Sequence, residues 1–316
     1  MTGTPISRAH SIALIAAGFG SATTSSAYAQ EAAPVRIGFV LGDTFAQAIY
    51  GQQAGIFAKA GIDAQLTVLA NAGAVAAAVA GGSLDVATGD IVSLSNAINH
   101  GVSVMLLAGG ALYSSNAPTT LLCVDGNSAI RTAKELEGKS IAVITLVGLG
   151  TASTKAWLAQ NGADPSKVSF LELPTSSMQP ALDRGQVAAA VIGEPGLTSV
   201  RDKIRIIGKP YDAIAKSFLI SEWFTTPDWL AHNTAVAKRV VAAIYETARW
   251  ANAHQEQTLP MLAGYLKLDP QTLHGTTRAV YATRLTASDI QPVIDVAVKY
   301  RAVERQLKAE DYIAKV

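Results

Sequence analysis

The chain has 316 residues, 49% of them hydrophobic, so it is long enough to bury a large core and to form two lobes of ordinary size. Lys and Arg total 25 and Asp and Glu total 24. Because the positive and negative charges nearly balance, the composition does not indicate a nucleic acid or an acidic membrane surface as partner. The single cysteine, Cys123, excludes an internal disulfide and is predicted to be a buried thiol.

The first 29 residues have the layout of a secretory signal peptide. Arg8 precedes the apolar run SIALIAAGFGSA (11–22), and Ala27-Tyr28-Ala29 forms a small-x-small cleavage site. The apolar run is too short for a stable membrane anchor. We therefore expect cleavage after Ala29 and a periplasmic protein; a disordered tail rich in Ala and Ser is the alternative.

Strands alternate with helices in the first part of the mature chain. The predicted order is strand 35–41, helix 45–61, strand 62–70, helix 74–82, strand 84–89, helix 91–101 and strand 103–112. This alternation predicts a parallel sheet with helices on both faces.

The same pattern restarts after Pro118, and a helical tail follows from Pro227. The predicted order is strand 119–126, short helix 132–138, strand 139–144, glycine-rich loop 146–151, helix 152–163, strand 168–174, helix 178–185, strands 186–193 and 203–210, and a return segment at 218–226. The tail is predicted as helices over 228–254, 258–266, 269–281, 288–300 and 309–316. The two α/β units are expected to be joined by short crossings, because no Gly/Ser linker separates them.

Two stretches repeat one arrangement of helix, glycine turn, apolar strand and carboxylate. AVAGGSLDVATGD ends at Asp90, and ALDRGQVAAAVIGEP carries Glu194 before its last proline. The repetition predicts that Asp90 and Glu194 occupy matching places in the two units. Each carboxylate either caps the helix that follows it or faces a ligand between the units.

The combination of segments resembles solute-binding proteins of the nitrate/sulfonate/taurine type that serve ABC importers. GKSIAV, GLGTASTKAWLAQNGADPSKVSFLELP and MQPALDRGQVAAAVIGEP resemble the second lobe, and VRIGFV, AGIFAKAGID and NAGAVAAAVAGGSLDVATGD resemble the first. The resemblance implies an α/β, type II periplasmic-binding-protein fold, in which each lobe is a mostly parallel sheet flanked by helices. The first lobe would be discontinuous, 34–117 plus 219–316, the second 118–218, and the two hinge crossings near 116–120 and 217–221.

The same resemblance implies the function. The protein would be a monomer that captures a small organic or inorganic anion, such as a sulfonate, taurine or nitrate, and delivers it to a membrane permease. It would have no catalytic activity, cofactor or nucleic-acid partner. The absence of GxSxG, Walker and HExxH motifs agrees with this, and the five histidines show no metal-ligand spacing. The alternatives are a biosynthetic enzyme of the same fold, of the pyrimidine-precursor or menaquinone-pathway type, and a sensory protein that docks to a receptor.

Ligands of open α/β sheets sit outside the carboxyl ends of the strands, so the strand-to-helix loops carry the candidate ligand-binding residues. These are Asp43, Thr44, Phe45, Asn71, Ala72, Gly73, Gly89, Asp90, Tyr113, Gly148, Gly150, Thr151 and Glu194. Helix N-termini at Asn71–Gly73 and Gly148–Thr151 can hold an anion through free N–H groups; ordinary capped turns are the alternative. The resemblance implies that Glu194 receives a cationic or hydroxyl group of the ligand, because members of the family often have a carboxylate before proline at this place. Ile192 stands where many relatives have an aromatic residue, so an aromatic stacking contact is not expected there.

Overall fold

The computed structural model describes residues 1–3 and 32–316, so residues 4–29 of the predicted signal peptide lie outside the described residues. The strands of the described part are β1 (Ala33–Val40), β2 (Ile62–Leu69), β3 (Val86–Gly89), β4 (Met105–Gly109), β5 (Ala111–Ser114), β6 (Thr120–Asp125), β7 (Ser140–Val143), β8 (Ser169–Glu172), β9 (Ala189–Gly193), β10 (Ile204–Gly208), β11 (Ser217–Leu219), β12 (Glu222–Thr225) and β13 (Val280–Tyr281). The α-helices are α1 (Gln47–Gln53), α2 (Ile56–Lys59), α3 (Ala72–Ala80), α4 (Ile91–Asn99), α5 (Leu149–Gln160), α6 (Thr175–Asp183), α7 (Gly196–Ser199), α8 (Pro227–His232), α9 (Thr234–Ala253), α10 (Gln255–Leu266) and α11 (Gln291–Lys299). No helix of this part combines the length and the apolar composition needed to cross a bilayer.

The first sheet has the strand order β2-β1-β3-β12-β4. β1 is parallel to β2 and to β3, whereas β12 runs antiparallel to both of its neighbours. The four strands from the first part of the chain are therefore parallel to one another, and one strand that returns from later in the chain is inserted among them.

The second sheet repeats this topology. Read from its opposite edge, its order is β8-β7-β9-β6-β10, with β7 parallel to β8 and β9 and with β6 antiparallel to β9 and β10. Here too the inserted antiparallel strand is the one that arrives from the other sheet. The fold is therefore α/β with two sheet-based lobes, each a mostly parallel sheet, as the sequence predicts.

A third, small sheet lies where the chain passes between the lobes. Its order is β11-β5-β13, and all pairs are antiparallel. β5 precedes the crossing into the second sheet, and β11 precedes the crossing back into the first. The predicted crossing 217–221 thus begins with β11, and the predicted crossing 116–120 follows β5, the strand to which β11 is hydrogen-bonded.

Each large sheet has an apolar core on both faces. In the first lobe, Trp223 belongs to the cluster packed with α1, α9 and α10, and Phe224 to the cluster that includes α4 and α11. In the second lobe, Leu122 belongs to one cluster and Cys123 to the other. Burial of each large apolar side chain contributes about 1.5–3 kcal/mol, so this alternation along β6 and β12 fixes their register. The prediction of a buried thiol is confirmed, and burial raises the pKa of Cys123 to about 12.

One helix of the second lobe also packs on the first. Leu149 and Ala152 of α5 belong to the cluster that contains Leu94 of α4 and Ile294 of α11. The two lobes therefore share an apolar contact beside the hinge, and this contact sets where the N-terminus of α5 lies.

Candidate functional site

A cavity of about 450 Å³ lies between the two lobes. Its walls are the segments that follow β1, β2 and β3 in the first lobe and β7 and β9 in the second. This is the carboxyl edge of both sheets, where open α/β folds bind ligands. Eight of the predicted residues line the cavity: Thr44, Phe45, Asn71, Ala72, Asp90, Gly148, Gly150 and Glu194.

Two helices of the first lobe point their N-termini at this cavity, and both are capped by side chains. The Asn71 side-chain oxygen accepts a hydrogen bond from Ala74 N (2.9 Å) at the start of α3. Asp90 Oδ1 accepts from Val92 N (3.1 Å) and Ser93 N (3.0 Å) at the start of α4. The capping interpretation of Asp90 is therefore confirmed.

The N-terminus of α5 in the second lobe has a different arrangement. Its N-cap residue is Gly148, which has extended backbone and no side chain to offer the first N–H groups. The amide of Leu149 donates instead to Asp90 Oδ1 of the first lobe, at 3.2 Å. Asp90 thus caps its own helix and reaches the end of a helix in the opposite lobe.

Glu194 has the matching role in the second lobe. Its carboxylate accepts from Thr198 N and Thr198 Oγ1, both at 2.9 Å, within the first turn of α7. It also accepts from Thr277 N of the first lobe at 3.4 Å. Each carboxylate therefore accepts hydrogen bonds at the start of a helix in its own lobe and one further hydrogen bond from an N–H group of the opposite lobe.

These two carboxylates set the electrostatics of the cavity. Among the described residues that line it, Asp90 and Glu194 alone have carboxyl side chains, and none is a lysine, arginine or histidine. Asp90 and Glu194 are 8% and 6% exposed, and burial raises the pKa of each, although their hydrogen bonds partly offset the increase. The side chains of the wall therefore supply acceptors and hydroxyl groups, and any fixed positive potential comes from backbone N–H groups.

Five predicted residues lie outside the cavity wall: Asp43, Gly73, Gly89, Tyr113 and Thr151. Asp43 is fully buried and accepts hydrogen bonds from the Arg278 guanidinium. Gly73 lies in the first turn of α3, and Gly89 ends β3. The Thr151 hydroxyl donates to the carbonyl of Thr145 at 2.7 Å, a bond that holds the loop before α5.

Tyr113 lies in the hinge region. Its side chain is 1% exposed and its hydroxyl donates to Asp212 Oδ1 at 2.8 Å. Ser115 and Lys216 donate to the other oxygen of Asp212, so one carboxylate ties the two crossing segments together. Burial raises the pKa of Tyr113, and the bond to Asp212 raises it further.

Several wall residues were absent from the sequence prediction. They are mostly hydroxyl, amide and apolar residues of the second lobe and the crossings, such as Thr119, Thr120, Thr175, Gln179, Tyr211, Ile144 and Leu268. Thr119 and Thr120 precede or begin β6, and an antiparallel strand presents its start, not its end, at the carboxyl edge of its neighbours. Thr119 and Thr120 therefore reach the cavity because β6 is antiparallel to β9, with Thr120 opposite Gly193.

The chain is similar in sequence to known binding proteins. A family model described as NMT1/THI5 like matches residues 43–258. A protein of Brucella abortus (strain 2308), named only as a candidate binding protein, is 23% identical over 263 residues, which cover 81% of this chain and 78% of that relative.

The fold is similar to three solved binding proteins. The alkanesulfonate-binding protein SsuA of Xanthomonas axonopodis pv. citri, bound to MOPS, has a TM-score of 0.74 at 17% identity, covering 90% of this chain and 99% of that one. The periplasmic aliphatic sulphonate binding protein SsuA of Escherichia coli has a TM-score of 0.73 at 17% identity, covering 89% and 92%. The periplasmic nitrate-binding protein NrtA of Synechocystis PCC 6803 has a TM-score of 0.73 at 15% identity, covering 89% and 85%. These likenesses establish the periplasmic-binding-protein fold. Because the family match spans well over half of the sequence, the chain belongs to the NMT1/THI5-like family.

Proposed function

We propose that this protein is the periplasmic substrate-binding protein of an ABC importer, and that it binds a small organic anion between its lobes and delivers it to the membrane permease. The observation that carries the proposal is the cavity at the carboxyl edge of both sheets, onto which the glycine-capped N-terminus of α5 opens. The fold and the names of the structural neighbours support the same role.

The anionic group of the ligand is assigned to the start of α5. The first N–H groups of an α-helix have no intrahelical acceptor, and the helix dipole favours negative charge there. Leu149 N already donates to Asp90 Oδ1, so the anion would accept hydrogen bonds from the N–H groups that follow in the first turn, those of Gly150 and Thr151. α5 is a twelve-residue helix, and Gly148 and Gly150 let a ligand approach its backbone closely. A sulfonate can accept hydrogen bonds from several N–H groups at once. It therefore fits the N-terminus of α5 better than a single hydroxyl group does.

Asp90 and Glu194 favour a ligand with a positive or hydrogen-donating end as well. A bare anion between two carboxylates is repelled, whereas an ammonium group next to either one is attracted. The cavity volume of about 450 Å³ also exceeds what a nitrate ion fills. Within the anion class, the wall therefore favours an organic zwitterion of the taurine kind over an inorganic ion.

Binding to the protein purified after export tests this proposal. Calorimetry with taurine, ethanesulfonate, ethylamine and nitrate is expected to give the strongest binding for taurine, because only taurine offers both groups. Glu194→Gln is expected to weaken taurine more than ethanesulfonate, and Glu172→Gln, outside the cavity wall, is the matched control. Failure of every anion to bind would end the anion assignment, and turnover of a bound compound would favour the enzyme alternative.

A further inference from the structure

The segment Pro210–Ala213 connects the cavity to both crossings between the lobes. It forms a short 3₁₀ helix after β10 and before β11. Gln160 Nε2, at the last residue of α5, donates to the carbonyl of Ala213 at 3.0 Å, so the segment is tied to the helix whose N-terminus opens onto the cavity. Tyr211 and Asp212 are consecutive residues of this segment, and one contacts the cavity while the other contacts the hinge.

Tyr211 is shared between the cavity wall and the aromatic side chains of the hinge. It is 6% exposed and lines the cavity together with Thr120. Its ring centroid is 5.3 Å from that of Tyr113 and 5.8 Å from that of Phe218. Tyr113 of β5 and Phe218 of β11 are opposite each other in the small sheet, with ring centroids 5.2 Å apart. The three rings therefore pack on one another, and Tyr211 is the one of them that lines the cavity.

Asp212, the next residue, holds both crossings. Tyr113 Oη donates to its carboxylate at 2.8 Å, Ser115 Oγ at 2.9 Å and Lys216 Nζ at 2.8 Å. Ser115 and Lys216 each directly precede one of the two predicted crossings. A displacement of Tyr211 therefore moves the carboxylate that follows it, and with it the groups at the start of both crossings.

We propose that Tyr211 is the positioning residue that couples an occupied cavity to the hinge. A ligand that contacts Tyr211 fixes its ring against Tyr113 and Phe218, and thereby holds the small sheet in the arrangement of the closed lobes. Closely packed side chains transmit such a displacement because the interior has few voids to absorb it. The inference rests on the proposed function in using the same cavity, and it adds the residue through which binding reaches the crossings.

Hydrogen exchange at the small sheet tests the contact between Tyr211 and the hinge without any ligand. Tyr211→Ala removes two ring contacts, so we expect the amides of β5 and β11 to exchange at least about fivefold faster. Tyr211→Phe keeps the ring and is expected to exchange like the wild type. Gln179→Ala, which changes the cavity wall on α6, is the matched control and should leave both strands unchanged. Wild-type exchange in Tyr211→Ala would overturn the proposal.

Filling the cavity by substitution tests the transmission itself. Thr120→Phe adds a ring next to the Tyr211 hydroxyl, whatever the natural ligand is. It is expected to slow exchange in β5 and β11 when Tyr211 is present and to have no effect there in a Tyr211→Ala background. A merely structural role of Tyr211 does not give this difference, because it changes the exchange rate equally with and without the added ring. An equal response in both backgrounds, or none in either, contradicts the coupling.

Taurine separates this proposal from the proposed function. If taurine slows exchange at the start of α5 in the wild type but leaves β5 and β11 unchanged, the anion site stands and the coupling is wrong. If no anion binds while Thr120→Phe gives the expected response, the coupling holds and the anion assignment fails.

Discussion

Asp43 illustrates why residue type and loop position do not identify a ligand contact. It follows β1 as a ligand-binding residue would, yet its carboxylate is fully buried and accepts from Tyr50 Oη at 2.9 Å, Arg278 Nη2 at 2.8 Å and Ala279 N at 2.6 Å. Arg278 is 235 positions away, so no local pattern reveals the pairing. Asp43 therefore acts on the cavity indirectly, by fixing the turn that carries Thr44.

Replacing Asp43 by Asn is expected to destabilise the fold by about 3–5 kcal/mol, because it leaves the Arg278 guanidinium buried without its carboxylate. Urea denaturation measures the loss. Lys134→Ala, which breaks the exposed pair with Glu137, is the control and should leave the midpoint unchanged. An Asp43→Asn protein that unfolds at the wild-type midpoint would show that the buried pair adds nothing to stability.

Glu222 is a second buried carboxylate with a different environment. It lies on β12 opposite Gly89, it is fully buried, and neither of its oxygens has a hydrogen-bond partner among the described residues. Burial raises its pKa well above the ordinary value, and the nearby charge of Asp90 raises it further. Glu222 is therefore protonated in the folded protein at a pH where the unfolded chain has lost the proton.

This shift makes stability depend on pH. In the unfolded chain Glu222 titrates near 4.5. Above that pH the folded state binds the extra proton, so stability is highest below the unfolded pKa and falls as the pH rises toward the folded pKa. Glu222→Gln is expected to match the wild type at about pH 4 and to be more stable at about pH 8, as thermal unfolding across this range would measure. Glu304→Gln, at an exposed position, is the control; an equal difference at both pH values would contradict the shift.

At the scale of elements, the run SVMLLAGGAL shows what periodicity misses. It is predicted as one strand, but the chain leaves the first sheet at Gly109 and enters the small sheet at Ala111. A Cβ on Gly110 would lie 2.4 Å from Ser221 Oγ and 2.7 Å from the Ser221 carbonyl oxygen. The turn between sheets therefore depends on a close approach by the returning crossing, which no local pattern contains.

Gly110→Ala is expected to destabilise the protein by about 1–3 kcal/mol, because the added methyl has to displace backbone. Gly264→Ala is the opposite case, since a Cβ there meets no atom within 4 Å and Gly264 lies within α10. Gly264→Ala should therefore raise the free energy of unfolding, by at most about 1 kcal/mol. Thermal unfolding of the pair checks both signs, and a neutral Gly110→Ala would mean that Ser221 moves aside freely.

The elements also show how much of the fold and of the site follows from sequence. Alternating strands and helices predict both sheets. The two similar stretches that contain Asp90 and Glu194 predict that β3 and β9 occupy the same position in their sheets, and both are the central strand. The pattern predicts a helix over residues 269–281, but the structure has a short 3₁₀ helix at Pro270–Leu273 and the strand β13 at Val280–Tyr281. β13 has two residues and exists because it pairs with β5, more than 160 positions earlier, so periodicity carries no signal for it. The sequence does not predict Thr119 and Thr120 as site residues for the same reason, because the pairing of β6 with β9 brings them to the cavity.

At the scale of the whole molecule, the repeated carboxylates link the lobes in both directions. Asp90 of the first lobe accepts from Leu149 N of the second, and Glu194 of the second accepts from Thr277 N of the first. Capping and facing the cleft are therefore compatible, because each carboxylate does both. These bonds exist only while the lobes are close together, so they favour the closed arrangement over an open one.

Removing both carboxylates is expected to open the molecule. Each bond across the cleft contributes about 1 kcal/mol, so the double variant Asp90→Ala/Glu194→Ala should shift the closed-to-open ratio by a factor of about thirty. Small-angle X-ray scattering without added ligand would then give a larger radius of gyration than the wild type, with helix content checked by circular dichroism. Glu172→Ala is the matched control, since Glu172 accepts from Leu146 N at 3.1 Å within the second lobe. If the double variant scatters like Glu172→Ala, the two carboxylates only cap their own helices, and the apolar contact of Leu149 and Ala152 with the first lobe holds the lobes together.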